Sequence, residues 1–278
     1  MTRVVSGAVL IAIAVGVVWF APFFVFVAVA EILVVLAFVE YSRLAAACGL
    51  AIPAAPAGLA TVLASIGMLA HVPSGSMLWV DGVPLPTGVP YYLDILLLAA
   101  FVSLAVLTLV NWRGDRDALG RAAAALFPML YLGFPIGALM VIRGLHGREA
   151  LFLLMLTVMV SDTAQYYSGR AFGKRLLAPV ISPKKTIEGA VGGFVFGAVI
   201  MVVAGAWWLP HLAAAFRALL GVALVALGIA GDLFESMLKR SAGVKDSSTI
   251  IPGHGGVLDR IDALLFAAPV YYIVLKYA

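Results

Sequence analysis

The sequence predicts an all-α protein, a polytopic transmembrane helical bundle of about nine spans with its polar chemistry in cytoplasmic loops. Three observations predict this. Hydrophobic residues make up 64% of the 278 positions, with a mean hydropathy of +1.11, where a soluble domain is nearer half apolar. Uncharged runs recur at lengths that suit a bilayer crossing. Only 12% of residues are charged, yet Gly231 to Asp262 holds five acids (Asp232, Glu235, Asp246, Asp259, Asp262), four bases (Lys239, Arg240, Lys245, Arg260) and His254. Charge held next to a membrane is costly and marks a functional site by default.

Val4 to Phe20 carries no charge, breaks at Ala21-Pro22 and resumes to Val39, interrupted only by Glu31, which reads as an intramembrane pairing. Two helices in a tight hairpin fit this better than one long rod or a cleaved leader ending at Ala28-Val29-Ala30. Glu40 to Pro56 is mixed, and Ala57 to His71 is a weaker apolar segment. Residues 73–90 hold four prolines and no Lys or Arg, which suits a loop facing away from the cytoplasm. Tyr91 to Val110 is a span, Asn111 to Arg121 a charged loop, and Ala122 to Ile142 a span despite Pro128 and Pro135.

After Arg143 to Glu149 comes the span Ala150 to Tyr167, with Asp162 inside it and in need of a cation or donor partner. A basic, glycine-punctuated loop, Gly169 to Glu188, precedes the glycine-rich span Gly189 to Leu209, which suits close helix packing and is compatible with a homodimer. Leu212 to Gly231 runs directly into the acidic segment as a loop to about Leu258, where the last helix begins with Asp259 and Asp262 in its first turn. Loops 169–188 and 232–258 fall on one side and hold most of the loop cations, so that side is cytoplasmic; Arg143 and Arg148 then lie outside, against the rule. Residues 1–120 read as N-terminal transmembrane helices and 121–278 as a catalytic transmembrane region. Cys48, alone, excludes an intramolecular disulfide, and no basic, aromatic-interleaved module points to nucleic acid.

Asp232 and Glu235 are three residues apart, as are Asp259 and Asp262, so on helices each pair shares a face. Converging carboxylates repel unless cations intervene, and oxygen ligands of this kind suit Mg²⁺ bound jointly with substrate phosphates. The alternative is structural ion pairing, Glu235 with Lys239 and Asp259 with Arg260 or Lys245. Pro252-Gly253-His254-Gly255-Gly256, just before a helix N-terminus, lets backbone N–H groups approach an anion. Upstream, Ser182, Lys184, Lys185 and Thr186 offer hydroxyl and ammonium donors, or a topology signal with Thr186 as a helix cap and Glu188 in the first turn.

Two long motifs resemble those of the phosphatidate cytidylyltransferase (CDP-diacylglycerol synthase) family. One is Ser236-x-x-Lys239-Arg240, Lys245-Asp246, His254-Gly255-Gly256-x-x-Asp259-Arg260-x-Asp262. The other is Asp162, Gly169-Arg170, Gly173-Lys174, Ser182-Pro183-Lys184-Lys185-Thr186, Glu188-Gly189. The resemblance covers roughly residues 120–278 and implies CMP transfer from CTP to phosphatidate, dependent on Mg²⁺, with cytoplasmic loops of an inner-membrane protein forming the active site. Under it, Asp232, Asp259 and Asp262 hold metal, Glu235 and Asp246 support them, and Asp162 lies near the metal. Lys239, Arg240 and Lys245 hold CTP phosphates, with His254 and Arg260 in the same catalytic group. Arg170, Lys174, Ser182, Lys184, Lys185, Thr186, Gly255 and Gly256 bind substrate. The rival readings are an ion-coupled transporter, a CTP-dependent lipid kinase, and a CDP-alcohol phosphotransferase, whose aspartate-glycine-alanine-arginine pattern is absent.

Overall fold

A computed structural model describes residues 2–70, 77–80, 83–86, 92–112, 114, 117–251, 253 and 255–278. The chain runs α1 (Thr2–Phe20), α2 (Phe23–Ala47), α3 (Ala54–Ala70), β1 (Met77–Val80), β2 (Val83–Pro86), α4 (Tyr92–Val110), α5 (Ala118–Pro128) and α6 (Phe134–Leu145). It continues through α7 (Gly147–Phe172), β3 (Leu176–Ala178), β4 (Ser182–Thr186), α8 (Ile187–Trp208), α9 (Ala214–Ser241) and α10 (Leu258–Tyr277). A π-helical turn, Met129–Gly133, joins α5 to α6 in one rod. Pro128 has no N–H to continue the α ladder, and the turn absorbs the change of register. Among the described residues, six rods are long and apolar enough to cross a bilayer: α2, α4, α5–α6, α7, α8 and α9. The apolar parts of α1 and α3 are shorter, Val9–Phe20 and Ala54–Leu69. An all-α membrane-type bundle is therefore what forms.

Helical spans suit this composition because every backbone group is satisfied within its own segment. The break at Ala21-Pro22 is present, but α1 lies mainly against α7, with the Trp19 and Phe152 rings 5.2 Å apart, rather than closing tightly on α2. Glu31 accepts a hydrogen bond from Ser65 Oγ of α3 at 2.6 Å, which is the intramembrane pairing its position suggested. The two arginines that break the charge rule have local work. Arg143 Nε donates to the Val18 carbonyl at 3.0 Å, and Arg148 donates to the Trp19 carbonyl at 3.1 Å with its guanidinium 5.2 Å above the Trp19 ring. They satisfy carbonyls that the end of α1 leaves without intrahelical donors.

Two boundaries differ from the sequence reading. α9 does not stop at Gly231; it continues to Ser241, so Asp232, Glu235, Lys239 and Arg240 are helical and the loop before α10 begins ten residues later. An i,i+4 Glu235–Lys239 pair and cations near the helix C-terminus favour the extension. α7 likewise runs to Phe172, and the basic loop after it folds back as the antiparallel β3–β4 hairpin, Leu176 opposite Thr186.

α7, α8, α9 and α10 pack as sequential antiparallel neighbours, so the end of α7, the β3–β4 hairpin, the start of α8, the end of α9 and the start of α10 share one end of the bundle. The glycines of α8 face Gln165 and Ser168 of α7 and Val225 of α9. At Gly231 a side chain would collide with the backbone at Asp262 and Ala263, so glycine there lets α9 and α10 close just below the charged cluster. Beneath it, Phe127, Tyr131, Phe234 and Phe266 form an aromatic floor with ring centroids 5.2 to 5.9 Å apart along the series Tyr131–Phe127–Phe234–Phe266. We expect Gly231→Val to destabilise the fold by about 1–3 kcal/mol, the usual cost of overpacking, read as a lower unfolding midpoint in detergent.

Candidate active site

The end of the bundle gathers its charged side chains into two groups. The first centres on Lys185 of β4, whose Nζ lies 2.6 Å from Asp232 Oδ2 on α9. Asp162 of α7 and Asp262 of α10 are within electrostatic reach of both Lys185 and Asp232, so acids from three helices face one ammonium. Each is held in place: Gln165 Nε2 donates to Asp162 Oδ1 at 3.0 Å, Ser236 Oγ to Asp232 Oδ1 at 3.4 Å, and the Ala263 N–H to Asp262 Oδ1 at 2.8 Å. Asp162 is exposed rather than sealed in the bundle; Gln165 is the donor its position called for, with Lys185 within electrostatic reach.

The second group is buried. Lys239, only 8% exposed, bridges Glu235 Oε2 at 2.5 Å and Asp259 Oδ1. Glu235 is fully enclosed. Asp259 Oδ2 accepts from the Ser247 N–H at 3.0 Å and the Gly256 N–H at 2.7 Å, and Ser247 Oγ lies 2.7 Å away. Both oxygens of Asp259 are thus engaged by the protein. One ammonium offsets only part of the charge of two carboxylates; Asp259 also accepts hydrogen bonds from Ser247 and Gly256, whereas Glu235 has Lys239 alone as its partner among the described residues.

Next to these groups lies a cleft of about 320 Å³, lined by Lys245, Asp246, Ser248, Gly253, Gly255 and Arg260 among others. Its cations and backbone N–H groups suit an anion. Lys245, Asp246 and Arg260 are exposed. Arg240 instead ties two loops together, donating to the Ile181 carbonyl at 3.4 Å and the Val244 carbonyl at 3.0 Å.

In the upstream motif, Thr186 caps α8 by accepting the Gly189 N–H at 3.1 Å, and Glu188 accepts the Lys174 and Arg175 N–H groups at 3.0 and 3.2 Å. Ser182 opens β4 opposite Ala178; Lys184 is exposed on the same strand, and Arg170 and Lys174 are exposed near the end of α7. His254 lies outside the described residues.

The acids divide by what they already hold. Glu235 and Asp259 are engaged with Lys239, whereas Asp162, Asp232 and Asp262 present hard oxygen donors on three helices within electrostatic reach of Lys185, with Arg260 also in reach of Asp162. Among the described residues no group of three acidic, histidine or cysteine side chains stands positioned to hold a metal ion. The donor chemistry of that trio fits Mg²⁺, which takes one or two carboxylates and completes its shell with water and substrate phosphate.

Two contributors were not singled out from the motifs, Ser247 and Glu40. Ser247 directly follows Lys245-Asp246, and that adjacency was the available signal. Glu40 is an acid at the edge of an apolar run, on the far side of the sequence from its partners.

A family model described as "Cytidylyltransferase family" matches residues 1–278. A Staphylococcus saprophyticus protein named phosphatidate cytidylyltransferase is 33% identical over 215 residues, 77% of this chain and 78% of that one. A protein of the same name from Thermotoga maritima is 36% identical over 182 residues, 63% of this chain and 67% of that one. Its namesake from Haemophilus influenzae is 46% identical over 130 residues, and the match spans 45% of either chain, about half the relative's length.

Removing one partner from the buried triad leaves a carboxylate uncompensated. Lys239→Met is therefore expected to lower stability by about 3–5 kcal/mol in thermal unfolding, and adding Glu235→Gln to recover part of that loss.

Proposed function

The chain belongs to the cytidylyltransferase family, and from that membership and the geometry of the charged end we propose that it transfers CMP from CTP to phosphatidate, giving CDP-diacylglycerol and pyrophosphate. It acts as a multi-pass protein of the cell inner membrane with this end facing the cytoplasm, the side that the loop cations favour. One observation carries the reading. Carboxylates Asp162, Asp232 and Asp262 meet Lys185 beside a cleft bearing Lys245 and Arg260, all at the end of a membrane bundle. A soluble polyphosphate and a lipid phosphate anchored in the leaflet have to meet at just such a depth.

The chemistry joins two anions. A phosphatidate phosphate oxygen attacks the α-phosphorus of CTP, the new P–O bond forms, and the bond to the β-phosphate oxygen breaks to release pyrophosphate. The attacking oxygen is already ionised near neutral pH, so no strong general base is needed. What the protein supplies is charge neutralisation and in-line positioning. Lys245 and Arg260 draw the triphosphate into the cleft. Lys185 and Lys184 on β4 meet the second phosphate or the departing pyrophosphate. Asp232 and Asp262, with Asp162, would hold Mg²⁺, which when bound offsets the negative charge on the phosphoryl oxygens. Lys239 keeps α9 and α10 in register, so that Asp232 and Asp262 face each other.

Purified protein in lipid-detergent micelles with CTP, phosphatidate and Mg²⁺ should yield pyrophosphate and CDP-diacylglycerol in equal amounts, and EDTA should stop both. Asp262→Asn should lower kcat by about 10²-fold, in line with the loss of one electrostatic contact to a developing transition state. CDP released with no liponucleotide would identify a lipid kinase instead, and solute uptake by proteoliposomes without CTP turnover a transporter.

A further inference from the structure

Glu40 stands on α2, outside both motifs, and none of its surface is exposed. A buried carboxylate is strongly disfavoured unless donors surround it. Here they come from the opposite end of the sequence. Ser248 Oγ donates to Oε1 at 2.6 Å, the Val257 N–H to Oε1 at 2.9 Å and the Leu258 N–H to Oε2 at 2.8 Å. Ser247 Oγ lies 2.9 Å from Oε2 and shares its one proton between Glu40 and Asp259.

Val257 and Leu258 open α10, and no side chain of its own N-cap residue caps that helix. The first N–H groups of a helix lack intrahelical partners and carry the positive end of the dipole. Glu40 supplies the missing cap from another helix. Gly256 makes this possible: a side chain there would strike both Glu40 oxygens and Ser247 Oγ. That motif glycine therefore leaves room for Glu40, whatever else its N–H does at Asp259. The residues after the cap are Asp259, Arg260 and Asp262, and the loop before it lines the cleft through Lys245, Ser248 and Gly255.

We propose that Glu40 is a positioning residue of the active site, which pins Ser247, Ser248 and the first turn of α10 so that Asp259, Arg260 and Asp262 stand where the reaction needs them. The kinetic part of this rests on the transferase reading above. It makes α2 part of the catalytic unit, which then does not begin at residue 121.

The test uses the full chain in lipid nanodiscs, with kinetics, thermal unfolding and amide hydrogen exchange measured on the same preparations. Glu40→Gln keeps the size but turns an amide N–H₂ toward groups that are themselves donors. It should lower kcat by about 10- to 100-fold, the usual effect of losing a partner that orients a ligand, and should speed exchange at Val257 and Leu258 while α7 and α8 stay protected. Glu40→Asp keeps the charge and should recover a clear part of kcat at equal thermal stability. Wild-type kcat and exchange in Glu40→Gln would overturn the proposal, as would kcat in both variants falling only in step with the unfolding midpoint. Should neither fold, Ser248→Ala decides: a several-fold lower kcat with faster exchange in 248–258 supports positioning, and unchanged values overturn it. If the wild-type protein makes no CDP-diacylglycerol, the transferase reading falls, and exchange at Val257 and Leu258 alone then decides whether Glu40 holds the loop, unchanged exchange refuting it.

Discussion

The bridge that Lys239 makes between Glu235 of α9 and Asp259 of α10 is the contact on which the rest of the charged end depends. Two helices rich in apolar residues have no hydrophobic reason to prefer one register over another inside lipid. A buried ion triad does prefer one, because any slip leaves a carboxylate without its ammonium. From Asp259 the connection passes through Ser247 to Glu40 on α2, so three helices are tied through polar groups enclosed by protein. The stability of this end and its geometry have a common source.

The bilayer explains why the charges sit where they do. Apolar rods satisfy their own backbones, and charge is tolerated where it is paired or near an end. The opposite end of the bundle follows the same rule differently: Arg143 and Arg148 reach the last carbonyls of α1, which turns two apparent exceptions to the loop-charge pattern into helix caps. Between the ends, the ring series from Tyr131 to Phe266 packs beneath the acids.

The two acidic groups keep different company. Glu235 and Asp259 already hold the Lys239 ammonium. Asp162, Asp232 and Asp262 share Lys185, a side chain on a hairpin strand that a competing cation or phosphate can displace more readily than a buried one.

The apolar spans, the break at Ala21-Pro22, the glycine face of α8, the Thr186 cap and the concentration of ionisable groups after Gly231 were all legible in the residues, because each is a local property of composition, spacing or turn chemistry. The true end of α9 was not, since Asp232 to Arg240 is too polar to read as a continuing span, and its helix is held by the Glu235–Lys239 pair together with the reach of Lys239 across to α10. Nor was the partition of the acids: a three-residue spacing places Asp259 and Asp262 on one face but cannot say that one of them turns to Lys239 and Ser247 while the other faces Asp232. Glu40 shows the limit most plainly, because its donors lie more than 200 residues away and nothing near it in the chain hints at them. Sequence determined which groups exist and which helices carry them; tertiary structure alone decided which charges meet, because the energy of a buried ion depends on neighbours that folding brings together.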